Sequence, residues 1–360
     1  MNKKKRFALM SLYIVFLVVL FEGSARLAFL ILQGPKVLWD DELSWRRAWI
    51  SRHQNTGEEI YYKFDIYASY RGWISKPNLR DMKVFNRKVL NTNSKGFRGK
   101  NEYPYRKAQD KVRILVLGDS FTFGDEVSDN ETYSYYLQEM IPHAEVINLG
   151  VHGYGHDQML ILLKEEGIKY EPDIIILGFL PMGMSRNLLN FRDYAKPKFI
   201  IDNKELRITG TPVPCPEETL KWDWARPRIV DMVSIIRHIL WKLSGAYAKE
   251  KEAITTAILT EIINLADSIQ AIPIFVYLPS GKEIYNSTPL TKGEDYLFSM
   301  CQTNGRVRCF STRPSFAEKM TKGVTFKKRI HFGPASHLAV AEAIKRYLVD
   351  EGYVVLRDKL

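Results

Sequence analysis

The chain has 360 residues, 46% of them hydrophobic, with 52 Lys and Arg against 41 Asp and Glu, a net charge of +11. That length suits one large domain or two small ones, and the composition excludes a disordered or fibrous chain. Four of the positive charges are Lys3, Lys4, Lys5 and Arg6; the others are dispersed, with no aromatic-interleaved basic motif, so nucleic acid is not an expected partner and an anionic lipid or glycan surface suits the surplus better.

The first predicted element is a helix. After the basic start at 1–6, "FALMSLYIVFLVVLFEGSARLAFLIL" occupies 7–32 and is uncharged from 7 to 21. Glu22 and Arg26 follow at i, i+4 spacing, where they can pair on one helical face. At 1.5 Å per residue the run makes a helix of about 39 Å, longer than a hydrocarbon core of about 30 Å. The leading basic residues predict a single-pass membrane anchor with the N-terminus inside and the main domain outside, as in a bacterial inner-membrane protein facing the periplasm. Gly23-Ser24-Ala25 leaves a cleaved signal peptide as the alternative; the apolar stretch 27–32 favours retention.

Residues 33–110 are rich in aromatics, Arg and Asn without clean periodicity. They read as a stalk that becomes a short-stranded lead-in. A regular alternation then fills 111–350. Strand-like apolar runs lie at 112–117, 145–149, 173–179 and 272–278. Helix-like stretches lie at about 131–141, 156–169, 228–243 and 250–269. A last helix fits 334–349, with Gly333 as its N-cap and Pro334 in its first turn. Short continuous apolar strands alternating with helices predict a mostly parallel sheet covered on both faces. "KFIIDNKELRIT", 198–209, reads as an inserted hairpin turning at Asp202-Asn203, and 351–360 as a tail. Cys301 and Cys309 could bridge "CQTNGRVRC" in an oxidising compartment, leaving Cys215 free; three unpaired thiols is the alternative. No cysteine or histidine spacing suggests a metal site, and no cofactor is expected.

In such a sheet, ligands bind beyond the carboxyl ends of the strands. Three strands end in loops worth reading: Gly118-Asp119-Ser120, Gly150-Val151-His152-Gly153 and Leu180-Pro181-Met182-Gly183. Ser120 is either a nucleophile at the end of a buried strand or a helix N-cap. A serine hydroxyl needs a base to take its proton, and a tetrahedral intermediate needs N–H donors already aimed at its oxygen.

Four blocks occur in order: "VLGDSFTFG" (116–124), "INLGVHGYGHDQ" (147–158), "PDIIILGF" (172–179) and "HFGPASHLAVAEAI" (331–344). Together they resemble the GDSL/SGNH hydrolase superfamily over roughly 90–350. The lead-in "NSKGFRG" (93–99) resembles a bacterial membrane-anchored branch. The resemblance implies an α/β fold, a flavodoxin-like three-layer α/β/α sandwich behind one N-terminal transmembrane helix. It implies Ser120 as nucleophile, His331 as base, and the N–H groups of Ser120 and Gly153 as oxyanion donors. Asp119 would order the loop, or be a plain turn-former. His337 would be a supporting residue.

The chain departs from the family pattern twice. Met182 stands where the Asn of Gly-x-Asn-Asp supplies a side-chain donor, and Gly183 where its Asp stands. Asn187, a few residues on, is a candidate replacement; His152 and His156 are further stand-ins. The family also places an Asp two or three residues before the catalytic His. Here "FKKRIH" offers Lys328 and Arg329, and no Asp occurs from 298 to 331. A backbone carbonyl or a Glu from elsewhere would have to serve, unless His331 is only a helix-capping residue.

Two functions are expected from these readings. One is a membrane-anchored ester hydrolase or O-acyl transferase acting on acylated cell-surface glycan or lipid. The other is a catalytically degenerate member of the fold, binding glycan or lipid within an envelope-polysaccharide assembly. Nucleotide binding is not supported, since neither G-x-G-x-x-G nor G-x-x-x-x-G-K-[ST] occurs.

Overall fold

A computed structural model describes residues 3–31, 41–53, 60, 62–285, 289–326 and 330–355. In chain order the elements begin with α1 (Lys3–Ile31) and α2 (Glu42–His53). Two small hairpins follow, β1 (Asp65–Ala68) with β2 (Gly72–Ser75) and β3 (Met82–Val84) with β4 (Lys88–Leu90). Then come β5 (Val112–Gly118), the short α3 (Ser120–Phe123), α4 (Tyr133–Met140), β6 (Ala144–Gly150), α5 (His156–Glu165), β7 (Ile174–Phe179) and α6 (Met182–Arg186). The insertion holds β8 (Phe191–Arg192), β9 (Tyr194–Ala195), β10 (Lys198–Asp202) and β11 (Glu205–Thr209). The chain continues through α7 (Pro216–Asp223), α8 (Arg228–Leu243), α9 (Ala246–Ser268), β12 (Ile272–Tyr277), α10 (Lys292–Asn304), β13 (Arg308–Ser311), α11 (Arg313–Thr321) and α12 (Pro334–Asp350).

Five of these strands form one parallel sheet in the order β13-β12-β7-β5-β6. Counted along the chain that is 2-1-3-4-5, the flavodoxin-like doubly wound order. The strands are near-continuous apolar runs because both faces are covered. Along β5, Ile114 and Val116 face one core with α4, α11 and α12, while Leu115 and Leu117 face the other with α5, α9 and α10. Period-two alternation thus feeds two apolar layers from one strand. The sheet reverses direction at β5, which has β6 on one side and β7 on the other. Loops leaving the carboxyl ends of β5 and β7 diverge there, and the crevice between them is where this fold binds ligands.

Four of the five sheet strands coincide with the apolar runs read from the sequence. The fifth, β13, is a four-residue edge strand of Arg, Cys, Phe and Ser without a buried face, so hydrophobic pattern carries no signal for it. The 198–209 stretch is an antiparallel hairpin pairing Asp202 with Glu205. Its turn is therefore Asn203-Lys204, both at positive φ (50° and 68°), one residue later than the sequence suggested. Both positive angles match the turn type that suits strand twist. Where the sequence suggested a stalk, the described residues pack inward. Trp45 and Trp49 of α2 and Trp73 of β2 lie in the same core as Leu115 and Leu117, and the Trp49 indole N–H donates to the Ile60 carbonyl (2.6 Å). Cys301 and Cys309 are joined as a disulfide between α10 and β13, and Cys215 is free.

Candidate active site

The Ser120 loop is shaped by close approaches. A side chain at Gly118 would collide with Thr122, and one at Gly150 with the backbone of Thr122 and Phe123. α3 can therefore fold directly across the ends of β5 and β6 only because both strands end in glycine. Asn148 stitches the crossing, donating to the Thr122 carbonyl (2.8 Å) and accepting from the Gly150 N–H (2.9 Å). Asp119 is the N-cap of α3, accepting from the Phe121 N–H (3.0 Å). Its other oxygen takes the Arg186 guanidinium of α6 at 2.6 Å, and both groups are buried. Asp119 thus orders the loop and ties it to the loop after β7.

Ser120 is the first residue of α3. Its hydroxyl lies 3.0 Å from Nε2 of His331. Nδ1 of the same ring faces Oε1 of Glu126 at 3.3 Å. His331 sits against Phe121 (5.3 Å between rings), and its neighbour Phe332 is buried edge-on to the same phenyl. A serine, a histidine and a carboxylate are thus in line, with Ser120 only 3% exposed. Lys328 and Arg329 lie outside the described residues.

Glu126 was not singled out from the sequence, although "GDE" directly follows the Ser120 block. The gap it fills is the missing Asp before His331. Its placement depends on backbone conformation. Gly124 closes α3 at φ 91°, and Glu126 itself is held at φ 67°, the left-handed region that non-glycine residues occupy at a cost. Arg98, from the lead-in "NSKGFRG", clasps this turn. Its buried guanidinium donates to the Val127 carbonyl (2.8 Å) and the Gly124 carbonyl (3.4 Å), pairs with Asp129 at 2.5 Å, and lies over the Phe123 ring.

Between the two sits Asp125, fully buried. Oδ2 is 2.7 Å from Nδ1 of His152 and 3.7 Å from Nε2 of His331. Burial raises its carboxyl to about 7, with His331 and Arg98 opposing the rise. Burial also pushes the His152 imidazole well below its ordinary value, reinforced by Arg192. Both shifts favour the uncharged forms, as expected for groups removed from water.

The second loop brings Gly153 at φ 77°, where an added side chain would strike Asp193, Arg192 and Trp73. The Trp73 indole N–H holds the preceding carbonyl, that of His152 (2.8 Å). The N–H groups of Ser120 and Gly153 donate to no acceptor among the described residues, as befits a helix's first residue in the case of Ser120.

The third loop is arranged differently. Met182 packs half-buried on the core that holds Ile114 and Val116. Gly183 leaves room for the His156 ring, which an added side chain would strike. His156 is fully buried, stacked on Phe179 at 5.0 Å and pushed by burial down to about 3. Asn187 is equally buried. Its amide donates to Thr255 Oγ1 (2.9 Å) and meets His156 Nδ1 (3.2 Å), while its oxygen accepts from the Asp157 N–H (3.3 Å). Two of the three stand-ins named from the sequence, Asn187 and His156, are thus each other's partners inside the core, and the third, His152, pairs with Asp125. His337 is also buried, accepting from the Tyr133 N–H (3.1 Å) and pushed down to about 3 by burial. Tyr133 in turn meets the Thr122 hydroxyl at 2.7 Å, so His337 supports the Ser120 loop through α4.

No family model matches the chain, and no curated protein does. Solved structures similar to it include GDSL-family esterases and acylhydrolases. One is an acetylxylan esterase from Geobacillus stearothermophilus, at 13% identity over 70% of this chain and 100% of that one, TM-score 0.39. Another is a member of the lipolytic G-D-S-L family from Veillonella parvula, at 10% identity over 66% and 98%, TM-score 0.40. A third is a two-domain esterase active on acetylated mannans, at 12% identity over 69% of this chain, TM-score 0.39; the match spans 52% of that enzyme's length. At these identities the likeness decides neither chemistry nor substrate. The fold rests on the strand order and the site on the distances above.

Proposed function

We propose that the chain is a serine ester hydrolase or O-acyl transferase of the GDSL/SGNH type. The observation that carries this reading is the Ser120–His331–Glu126 line, with 3.0 Å and 3.3 Å contacts. In the neutral tautomer that this geometry favours, Nδ1–H of His331 faces Glu126 and Nε2 is free to accept. Ser120 Oγ attacks the ester carbonyl carbon while His331 Nε2 takes its proton. The carbonyl electron pair moves onto oxygen, where the Ser120 and Gly153 N–H groups receive it. Collapse breaks the bond to the alcohol, which leaves with the proton from His331. Water or a sugar hydroxyl then attacks the acyl-serine, again giving its proton to His331; collapse breaks the bond to Ser120 Oγ, which takes that proton back, and releases the acid or the acylated sugar. Glu126 holds the ring and faces the imidazolium formed in each step. The displaced side-chain amide sets a ceiling on rate, since one oxyanion donor is typically worth about 10²- to 10³-fold.

α1 is long and apolar enough to cross a membrane. In this reading it anchors the chain in a bacterial inner membrane with the catalytic domain on the outer, periplasmic side. The Cys301–Cys309 bridge fits that oxidising side. An acylated cell-surface glycan or lipid is the substrate class that fits the anchor and the +11 charge, within an envelope-polysaccharide assembly. Met182 and the committed Asn187 favour the second reading, a binding subunit that has lost catalysis. A fluorophosphonate probe on the full-length protein in detergent decides between them. Labelling lost in both Ser120→Ala and His331→Ala is the expected result. A folded wild type that takes no label would leave the binding subunit.

A further inference from the structure

α8 is amphipathic in the reverse sense. On the side of α8 that faces the domain Asp231 is buried and Ile235, His238 and Trp241 are half-buried, and His238 and Trp241 line a cavity with Glu42 and Arg46 of α2. The opposite stripe is Val233, Ile236, Leu240 and Leu243, exposed by 49%, 54%, 59% and 77%. A surface helix in water turns its apolar stripe to the core; this one turns it outward. Trp222 and Trp224, just ahead of α8, are also exposed. Apolar surface this contiguous marks a contact with something other than water.

What covers it is indicated by the neighbour. α8 packs along α1, whose own flanks from Phe7 to Phe21 are largely exposed apolar side chains. The join is specific. Both carboxylate oxygens of Glu22 accept from the first N–H groups of α8, those of Arg228 and Ile229, at 3.0 Å each. Arg26 pairs with Glu22 at 2.7 Å and reaches the carbonyls of Trp224 and Arg226. Glu22 and Arg26, which interrupt the apolar run of α1, thereby hold the start of a second helix that carries its own exposed apolar stripe. At 16 residues α8 is about 24 Å long, too short to span a hydrocarbon core of about 30 Å. Lys221 and Lys242 are exposed near the two ends of the segment, with Trp222 and Trp224, while Arg226 and Arg228 pair with Asp231 and Asp223; exposed basic and aromatic residues beside an apolar stripe mark helices that lie in the headgroup region.

We propose that the segment from Trp222 to Leu243 is a second membrane contact. α8 lies in the bilayer interface beside α1, with its Val233, Ile236, Leu240 and Leu243 stripe in the acyl chains and its polar face against the domain. This rests on reading α1 as a membrane span. The domain is then held at two points on the bilayer and does not swing on a single tether.

The test uses the full chain in a Cys215→Ser background, reconstituted in vesicles of phosphatidylethanolamine and phosphatidylglycerol. Spin labels are placed at Val15→Cys in α1, at Ile236→Cys and Leu240→Cys on the stripe, and at His238→Cys on the inward face. Relaxation by oxygen, which partitions into lipid, is compared with relaxation by a water-soluble nickel chelate. The expected result is a preference for oxygen at 15, 236 and 240 and its absence at 238. Nickel access at 236 and 240 would overturn the proposal by placing the stripe in water. Shielding from both reagents would overturn it by placing the stripe under a second copy or another protein. With lipid exposure at 15, either outcome rejects the α8 contact alone; water at 15 rejects the anchor as well.

Discussion

The loops after β5 and β7 flank the same crevice and have diverged in use. Within eight residues, the β5 loop carries Ser120, the proposed nucleophile, the N-cap Asp119, the buried Asp125 and the carboxylate Glu126. The β7 loop has the position for a side-chain donor and fills it with Met182, while Asn187 and His156 satisfy one another in the core. In the proposed reading chemistry is concentrated on one side of the switch point and the other side is scaffold, joined to it by the buried Asp119–Arg186 pair. A missing motif residue therefore does not mean a missing carboxylate, because the one that faces His331 comes from the opposite end of the domain's sequence.

The comparison breaks most decisively at Ser120. Ser120→Ala and His331→Ala should lower kcat/KM on an activated acetyl ester by about 10⁴- to 10⁶-fold, measured against a folded variant by circular dichroism. A loss under tenfold would move the nucleophile elsewhere. Next comes Glu126. Glu126→Gln should reduce kcat by about 10²- to 10⁴-fold with KM and Tm nearly unchanged, and Glu126→Asp should recover part of it. If Glu126→Gln were neutral, His331 would be working as an unassisted base.

On the scaffold side the prediction reverses. Asn187→Ala should leave kcat within about tenfold, yet cost about 1–3 kcal/mol in chemical denaturation, because it strips partners from Thr255, His156 and the Asp157 N–H. A large fall in kcat at unchanged stability would return Asn187 to the oxyanion site. The smallest effect concerns Asp125. Its carboxyl, raised to about 7 by burial, binds its proton more tightly folded than unfolded. The stability from that proton is complete below about pH 4 and lost as pH rises through about 7. The Tm of Asp125→Asn relative to wild type should therefore climb between pH 4 and pH 7 and then level. A difference flat across that range would contradict the burial argument.

Which parts of this were legible in the sequence follows from physics. β5, β6, β7 and β12 are doubly covered and announce themselves as apolar runs; β13 at the edge is not, and carries no such mark. α10 did leave a signal that went unread, the capping box of Thr291 and Glu294. The Ser120–His331 contact was legible because Ser120 lies at the centre of the first block and His331 opens the last. Glu126 was not, since its reach depends on two left-handed residues, Gly124 and Glu126, and on the Arg98 clasp. No spacing rule connects residue 126 to residue 331. The commitments of Asn187 and His156 were hidden for a similar reason, as Thr255 of α9 lies 68 residues beyond Asn187.

The central claim is that Ser120 carries the acyl group, and trapping that intermediate tests it most directly. Full-length protein is mixed with p-nitrophenyl acetate, quenched in acid within the first turnover, digested and read by mass spectrometry. The account predicts a p-nitrophenol burst approaching one per chain and acetyl on the peptide containing Ser120, both absent in Ser120→Ala. Acetyl on another residue, or a folded wild type that gives neither burst nor adduct, would contradict it.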